Sequence, residues 1–293
     1  VKRTLLALLP IAALAQEMTG PTLGWSPTSD GRSLQAIYGV AGAARLGPAV
    51  AWPEEVTGIS VSPSGQRAVA LENGLPVIVD LATAQRTPLT GATRADLKVW
   101  SPSGTALLLL DTQSGQVRTY RQQGRIFELL EEVAFAADAY AISDDGSSIL
   151  AIAGEELLLR TAQRSSVLGR KTAGFTFVAR SNTPVFIDGT ELVIGTKRFA
   201  QPLEAPVLES PATGRILAID RAGGKLVWFD AEGAQLSEAS CHCVVDHIER
   251  LGTAGTLRLV TSEDGPAWLT ETTEASQRLF FVPKAESAEE VKQ

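Results

Sequence analysis

An all-β ring of repeated four-stranded units is the fold this sequence predicts, and three observations predict it. The first is a recurring turn. Val99-Trp100-Ser101-Pro102-Ser103-Gly104 precedes the strand-like run Thr105 to Asp111, and a near copy, Val61-Ser62-Pro63-Ser64-Gly65, precedes Gln66 to Leu71. The second is the period: the copies recur roughly every forty residues, the length of one β-propeller blade. The third is the pattern inside each unit. Gly, Pro, Asn and Asp turn signals separate short β-rich runs whose apolarity falls toward the end of the unit. Four antiparallel strands of this kind make one blade. A blade cannot bury both faces alone, so its neighbours must close a ring around it.

The repeat is taken unit by unit from the N-terminus. Leu23-Gly24-Trp25 and Ser33 to Ile37 read as two short strands around a turn from Pro27 to Gly31. Gly39 to Gly47 is small and apolar, which suits a closely packed strand or a connection across the end of the barrel. The regular repeat begins at Val56. Val56 to Val61 is an inner strand. In Ser62-Pro63-Ser64-Gly65, proline presets φ at the second position and glycine tolerates positive φ. Gln66 to Leu71 returns antiparallel, Asn73-Gly74 is a hairpin signal, and Val77 to Leu81 and Gln85 to Leu89 follow.

The second unit has Leu97–Trp100, Thr105–Leu110, Gln116–Tyr120 and Ile126–Leu130. The third has Tyr140–Ser143, Ser148–Ala153 and Leu157–Arg160, and the abbreviated fourth has Phe175–Ala179, Pro184–Ile187 and Leu192–Ile194. The fifth has Pro206–Ser210, Ile216–Asp220 and Leu226–Asp230. The sixth has Val244–Arg250, Thr256–Thr261 and Ala267–Thr270. Arg278–Val282 is one more strand. Six units with strands at each end predict seven blades, with six or eight as the neighbouring counts. The N- and C-terminal strands, residues 21–50 with Arg278–Val282, are expected to close the ring as the seventh.

The ends of the chain read differently. Lys2 and Arg3, the apolar run Leu5 to Leu14 broken by Pro10, and Ala13-Leu14-Ala15 before Gln16 have the form of a secretory leader, residues 1–15. The apolar run is too short to span a bilayer, and no cysteine follows the cleavage site as a lipoprotein would need. The propeller then occupies 16–283, and 284–293 is a charged tail that suits disorder. No later run reaches transmembrane length. The expected location is outside the cytoplasm, periplasmic or extracellular. The formal charge of −7, or −9 without Lys2 and Arg3, argues against a nucleic-acid partner, which needs a basic face to replace counterions.

Trp-Ser-Pro-x-Gly, followed by a β-rich run and an apolar-Val-Asp strand, resembles the TolB-like, WD-type propeller repeat of exported bacterial proteins. The resemblance covers about residues 56 to 270 and implies the propeller fold. The usual turn of that repeat is Ser-Pro-Asp-Gly; Ser64 and Ser103 replace the aspartate here, and only Asp145 keeps it. The shared motif is a turn and not a site, and propellers host binding, scaffolding and several enzyme classes.

Reactive chemistry is concentrated in one place. Cys241-His242-Cys243, with Asp246 and His247, holds both cysteines and both histidines of the chain. Thiolate and imidazole together suit copper or zinc, which makes Cys241, His242, Cys243 and His247 a candidate metal set. Cys-x-Cys lacks the two-residue spacing of common zinc knuckles, and an exported pair of cysteines usually oxidises. A Cys241–Cys243 disulfide is therefore the first expectation, ahead of free thiols, and a metal or redox site comes third. A bridge across one residue closes a small strained ring that is more easily reduced. The cluster falls between the outer strand of one blade and the inner strand of the next, in a face loop.

The remaining candidates read as structure. Asp80, Asp111, Asp220 and Asp230 recur at strand ends, where a carboxylate caps a turn. Asp144-Asp145-Gly146 is a turn without calcium-loop spacing. Trp100 and Trp228 suit blade packing; Trp25, Trp52 and Trp268 have no clear place. No catalytic residue, P-loop or cofactor signal is apparent. The reading this favours is a non-catalytic binding or scaffold module for a protein, peptide or envelope partner. The alternative is a propeller enzyme or metal/redox-binding protein with its site near Cys241–His247.

Overall fold

The computed structural model describes residues 21–28, 32–252, 255–261, 267–273 and 276–282. The segments expected to be a leader, residues 1–15, and a charged tail, residues 284–293, lie outside the described residues. The described strands form seven antiparallel sheets, each built from consecutive segments with no crossover. The first is β1 (Thr22–Pro27), β2 (Ser33–Tyr38) and β3 (Arg45–Ala51); the second is β4 (Val56–Val61), β5 (Arg67–Glu72), β6 (Leu75–Asp80) and β7 (Arg86–Pro88). The third is β8 (Leu97–Trp100), β9 (Ala106–Asp111), β10 (Gln116–Gln123) and β11 (Ile126–Ala134). The fourth is β12 (Ala139–Ile142), β13 (Ser148–Ala153), β14 (Glu156–Thr161) and β15 (Ser165–Arg170). The fifth is β16 (Phe175–Phe177), β17 (Pro184–Asp188), β18 (Glu191–Ile194) and β19 (Lys197–Ala200). The sixth is β20 (Val207–Ala212), β21 (Arg215–Asp220), β22 (Lys225–Asp230) and β23 (Gln235–Ser240). The seventh is β24 (His247–Leu251), β25 (Thr256–Val260), β26 (Ala267–Thr272) and β27 (Gln277–Val282).

The second strand of a blade is sandwiched between two neighbouring blades, so it reads as a continuous apolar run rather than an alternation. β9, Ala-Leu-Leu-Leu-Leu-Asp, is buried throughout. Its two-residue period divides it between two cores. Leu107 and Leu109 pack with Val69, Ile78 and Tyr120 toward the second blade. Ala106, Leu108 and Leu110 pack with Ile142 and Ile149 toward the fourth. Each such side chain contributes roughly 1.5–3 kcal/mol over its exposed state, and the gain exists only when both neighbours are present. The outer strands have one neighbour and face solvent. β15, β19 and β23 are polar for that reason, and the apolar pattern of their units does not announce them.

The Ser-Pro-x-Gly segments form the turn from the first to the second strand. Ser62, Ser101 and Ser143 open such turns and are wholly buried, while Ser210, equally buried, lies inside β20, whose hairpin turns later, at Thr213-Gly214. Gly65, Gly104 and Gly146 close the first three by donating N–H to the carbonyl of the opening serine. The serine hydroxyl adds a second tie: Ser101 Oγ accepts from Ala106 N and Ser143 Oγ from Ser148 N, both at 3.0 Å. Ser26-Pro27 does not make this turn; both residues lie within β1 and pair with Gln35 and Leu34.

Closure of the ring differs from the expectation. Arg278–Val282 pairs with β26 and is the outer strand of the seventh sheet, so that sheet is complete without the N-terminus. The first sheet stands apart, with three strands among the described residues. Its inner strand β1 also runs opposite to its neighbour β24. Leu23 lies against Gly252, Gly24 against Leu251, and Ser26 against Glu249, so one number rises as the other falls. At other blade pairs the numbers rise together: Trp100 Nε1 donates to Ser60 O, and Gly104 sits on Pro63. The N- and C-terminal sheets thus close the ring by face-to-face packing, with Ile37, Leu251 and Leu269 as the core of the seam.

Candidate functional site

Alternating strand direction sorts the loops onto two faces. In the second to seventh blades, turns after the first and third strands share one face. Turns after the second strand, and the connections between blades, share the other. The Ser-Pro-x-Gly turns therefore crowd the channel mouth on the first face, and Cys241-His242-Cys243, between β23 and β24, lies on the second.

On the first face the turns are tied to one another. Asp144, in the turn after β12, accepts from Ser103 N at 2.7 Å and from Arg180 N at 2.5 Å. Its own carbonyl accepts from Thr105 Oγ1 at 2.7 Å. Asp145 accepts from Asn182 Nδ2 at 2.6 Å and from Ser143 Oγ at 2.7 Å. Burial opposes ionisation of Asp145, but hydrogen bonds from Ser147, Asn182 and Ser143 outweigh it and hold its pKa at about 2. One acidic turn thus fastens the third, fourth and fifth blades. Beside it opens a polar groove of about 500 Å³, lined by Ser64, Gln66, Thr105, Gln122, Ser181 and Asn182 among others.

The channel itself is crossed at this mouth. Arg250 on β24 donates Nε to Glu209 Oε2 on β20 at 2.7 Å, and a second nitrogen to the Pro102 carbonyl on the far side of the ring. The side chains of Arg250 and Glu209 are largely buried. A cavity of about 150 Å³ remains beneath, bounded by Pro63, Pro102, Arg180 and Arg250.

On the second face Cys241 and Cys243 are joined by a disulfide with a Cα–Cα distance of 5.2 Å. Sulfurs bonded to each other are not thiolates, the form in which cysteine ligates a metal. His242 lies between them at φ +51° and is exposed; its N–H donates to Ser240 Oγ. His247 turns to carboxylates, 3.3 Å from Asp246 Oδ2 and 3.4 Å from Glu249 Oε1. Hydrogen bonding to Glu249 raises its pKa, burial opposes the rise, and Asp246 adds to it. Among the described residues no three His, Cys, Asp or Glu side chains converge to hold one ion.

The strand-end acids cap turns. Asp80 accepts from Ala82 N and Thr83 N, Asp111 from Gln113 N and Ser114 N, Asp220 from Ala222 N, and Asp230 from Glu232 N and Ala234 N. Trp228 is buried in the core with its Nε1 on Thr272 Oγ1 at 3.0 Å. Trp100 is half-buried and packs edge-on against Phe127. Trp268 meets Phe281 at 5.2 Å, and Trp25 and Trp52 line a cleft of about 270 Å³ between the first two blades. Arg250, Gln66 and Asn182 had no sequence signal beyond the turns beside them, because their convergence exists only once the ring closes.

Seven radial sheets around a channel define a β-propeller of seven blades. Among solved structures, the β-propeller domain of Cps50 (Swd1) from Myceliophteria thermophila matches with a TM-score of 0.52 at 15% identity, covering 79% of this chain and 88% of that one. The WD40 repeats of RRP9 match with a TM-score of 0.51 at 9% identity, covering 79% of this chain and 81% of that one. The fold is the WD40-type propeller, and at these identities the likeness carries the fold alone. No family model and no curated protein matches the sequence. Among the described residues no helix is long and apolar enough to cross a membrane.

Proposed function

We propose that this propeller is an exported, non-catalytic binding module that presents its turn face to a protein or peptide partner. The polar groove beside Asp144 and Asp145 carries the reading. Its hydroxyl and amide groups stand on turns already fixed to their neighbours, so little side-chain and loop ordering is needed when a partner's polar groups dock. Solved WD40-type neighbours share the architecture, and such rings commonly serve as interaction scaffolds. The leader-like segment 1–15 supports export to the periplasm or beyond, and the repeat resemblance supports a TolB-like, bacterial setting. A nucleic-acid partner is disfavoured by the net charge of −7.

Gln66 is exposed on the groove rim, so Gln66→Trp should fill the groove without touching the core. Affinity capture from an envelope extract with wild type and this variant tests the reading. The expected result is a partner held by wild type and lost by the variant. A partner retained equally by both, or a turnover activity that needs the groove, overturns it. A second reading puts a metal or redox site at Cys241, His242, Cys243 and His247, and the bridge between the cysteines favours its redox half.

A further inference from the structure

The Cys241–Cys243 bridge is poorly suited to stabilising the fold. A cross-link stabilises chiefly by restricting the unfolded chain, and the gain grows with the loop it closes. This loop encloses a single residue, so the restriction is close to the least a disulfide can impose. The loop is also held without it. Cys241 N donates to Gly224 O at 3.0 Å and Val245 N to Arg221 O at 2.8 Å, while Arg221 Nε returns to Val245 O at 2.9 Å. Val245 is buried in the same core as Trp228 and Leu217. Both ends of the segment are thus anchored independently of the sulfurs.

Closing the bridge carries a local cost. His242 is held at φ +51°, the left-handed region, where a side chain meets its own backbone. A bridge across one residue narrows the backbone angles that residue can take, and opening it lifts that restriction. The two cysteines are unequal as well. Cys241 is 5% exposed and packed against Gly224, whereas Cys243, at the edge of the same core, is half-buried and stands in the chain between the exposed His242 and Val244. Strained and reachable disulfides are the labile ones.

We infer that the Cys241–Cys243 bridge is an exchangeable disulfide, opened and closed by a dithiol while the propeller stays folded. One thiolate of the dithiol attacks Cys243 Sγ, the Cys241–Cys243 S–S bond breaks, and Cys241 departs as a thiolate that takes up a proton. The second thiolate of the dithiol then attacks the mixed disulfide and releases Cys243. Two electrons and two protons pass to the protein, and the dithiol leaves as a disulfide. The inference stands apart from the groove reading, since it concerns the opposite face.

The test is equilibration of the full chain with dithiothreitol and its oxidised form, read by alkylation and mass spectrometry beside a thermal melt. Wild type should be reduced with its melting transition unchanged. Valine suffers most at positive φ and asparagine tolerates it. His242→Val should therefore shift the exchange equilibrium about tenfold toward the dithiol form, and His242→Asn should leave it level or shift it toward the bridge. A bridge that survives excess dithiol until the chain unfolds overturns the inference, and so does one exchange constant shared by all three proteins.

Discussion

Ser26 on the first strand donates its hydroxyl to Glu249 of the last sheet, 2.8 Å away, across the seam where the ring closes. Arg258 reaches the same two groups, its Nη1 lying 3.1 Å from Glu249 Oε2 and bonded to Ser26 Oγ. Among the described residues no strand is shared across this seam. Its specificity rests on one small apolar core and on this polar triad, in a register where β1 opposes β24.

Removing Glu249 should therefore weaken the ring at its joint. Glu249→Ala strands the largely buried Arg258 guanidinium and leaves Ser26 only the longer bond to the Pro27 carbonyl. Breaking a buried pair from one side costs about 3 kcal/mol, which for a chain of this size lowers the melting temperature by roughly 6–12 °C. Glu249→Gln, which keeps an acceptor for Ser26, should lose less. Calorimetric melts of the two variants check the order; equal losses would place the effect in packing rather than charge.

The same carboxylate couples the seam to pH. Hydrogen bonding to Glu249 raises the His247 pKa, so this contribution is complete below the unfolded value of about 6.5 and fades as pH rises through the folded value. Burial pushes Glu249 upward, but hydrogen bonding to His247, the Arg258 charge and Ser26 lower it on balance. Its contribution is present above about 4.5 and is lost as pH falls through the lowered value. Denaturant titrations of wild type and His247→Gln should differ most near pH 5–6 and converge in alkaline solution.

Gly24 reports on the reversed strand. A Cβ there would stand 2.8 Å from Leu251 Cβ and 2.9 Å from its Cα, with backbone on one side and no room to yield. Gly24→Ala should cost about 1–3 kcal/mol by overpacking. Gly74→Ala serves as the control for glycine replacement itself, since no atom lies within 4 Å of the added carbon and its cost comes from positive φ alone. Urea unfolding midpoints distinguish the two. A Gly24→Ala protein as stable as wild type would contradict the close approach of β1 to β24.

Asp145→Asn tests the tie among the turns. The wild-type carboxylate has a pKa of about 2, so its advantage over the amide should be complete above about pH 4 and vanish as pH falls through 2. A loss of about 1–2 kcal/mol is expected at neutral pH. Hydrogen exchange should show the loosening in the turns after β8, β12 and β16, the three that Asp144 and Asp145 connect. A loss that stays constant with pH would assign the effect to shape instead of charge.

Export has its own measurement. If residues 1–15 are a leader, N-terminal sequencing of protein recovered from a bacterial periplasm should begin at Gln16. Recovery of the uncut chain in the cytoplasm would remove the export reading.

Much of the ring was legible in the chain. The buried serine and the glycine of the turns after β4, β8 and β12 recur because such a turn needs a small hydrogen-bonding side chain and a positive φ, and both needs are local. The central strands are legible because burial on both faces demands unbroken apolar runs such as Ala106 to Leu110. The outer strands β15, β19 and β23 were not, since a strand with one neighbour and a wet face carries little apolar signal. Arg278–Val282 read clearly as a strand, yet nothing in its residues says which sheet receives it. Of the candidate site, Cys241-His242-Cys243 stood out by composition, while the groove did not, because its residues come from four separate blades.

By itself, then, the sequence determined the repeated blade: its turns, its central strands and the capping acids follow from short-range patterns, and six units with strands at each end pointed to seven blades. Only the tertiary structure decided how the ring closes, with β1 reversed against β24 and Ser26 set on Glu249, and how Arg250 spans the channel to Pro102. The physical reason is separation along the chain. A turn is chosen by the dihedral preferences of four adjacent residues, whereas a contact between residues more than a hundred positions apart is chosen by packing that exists only after every blade is in place.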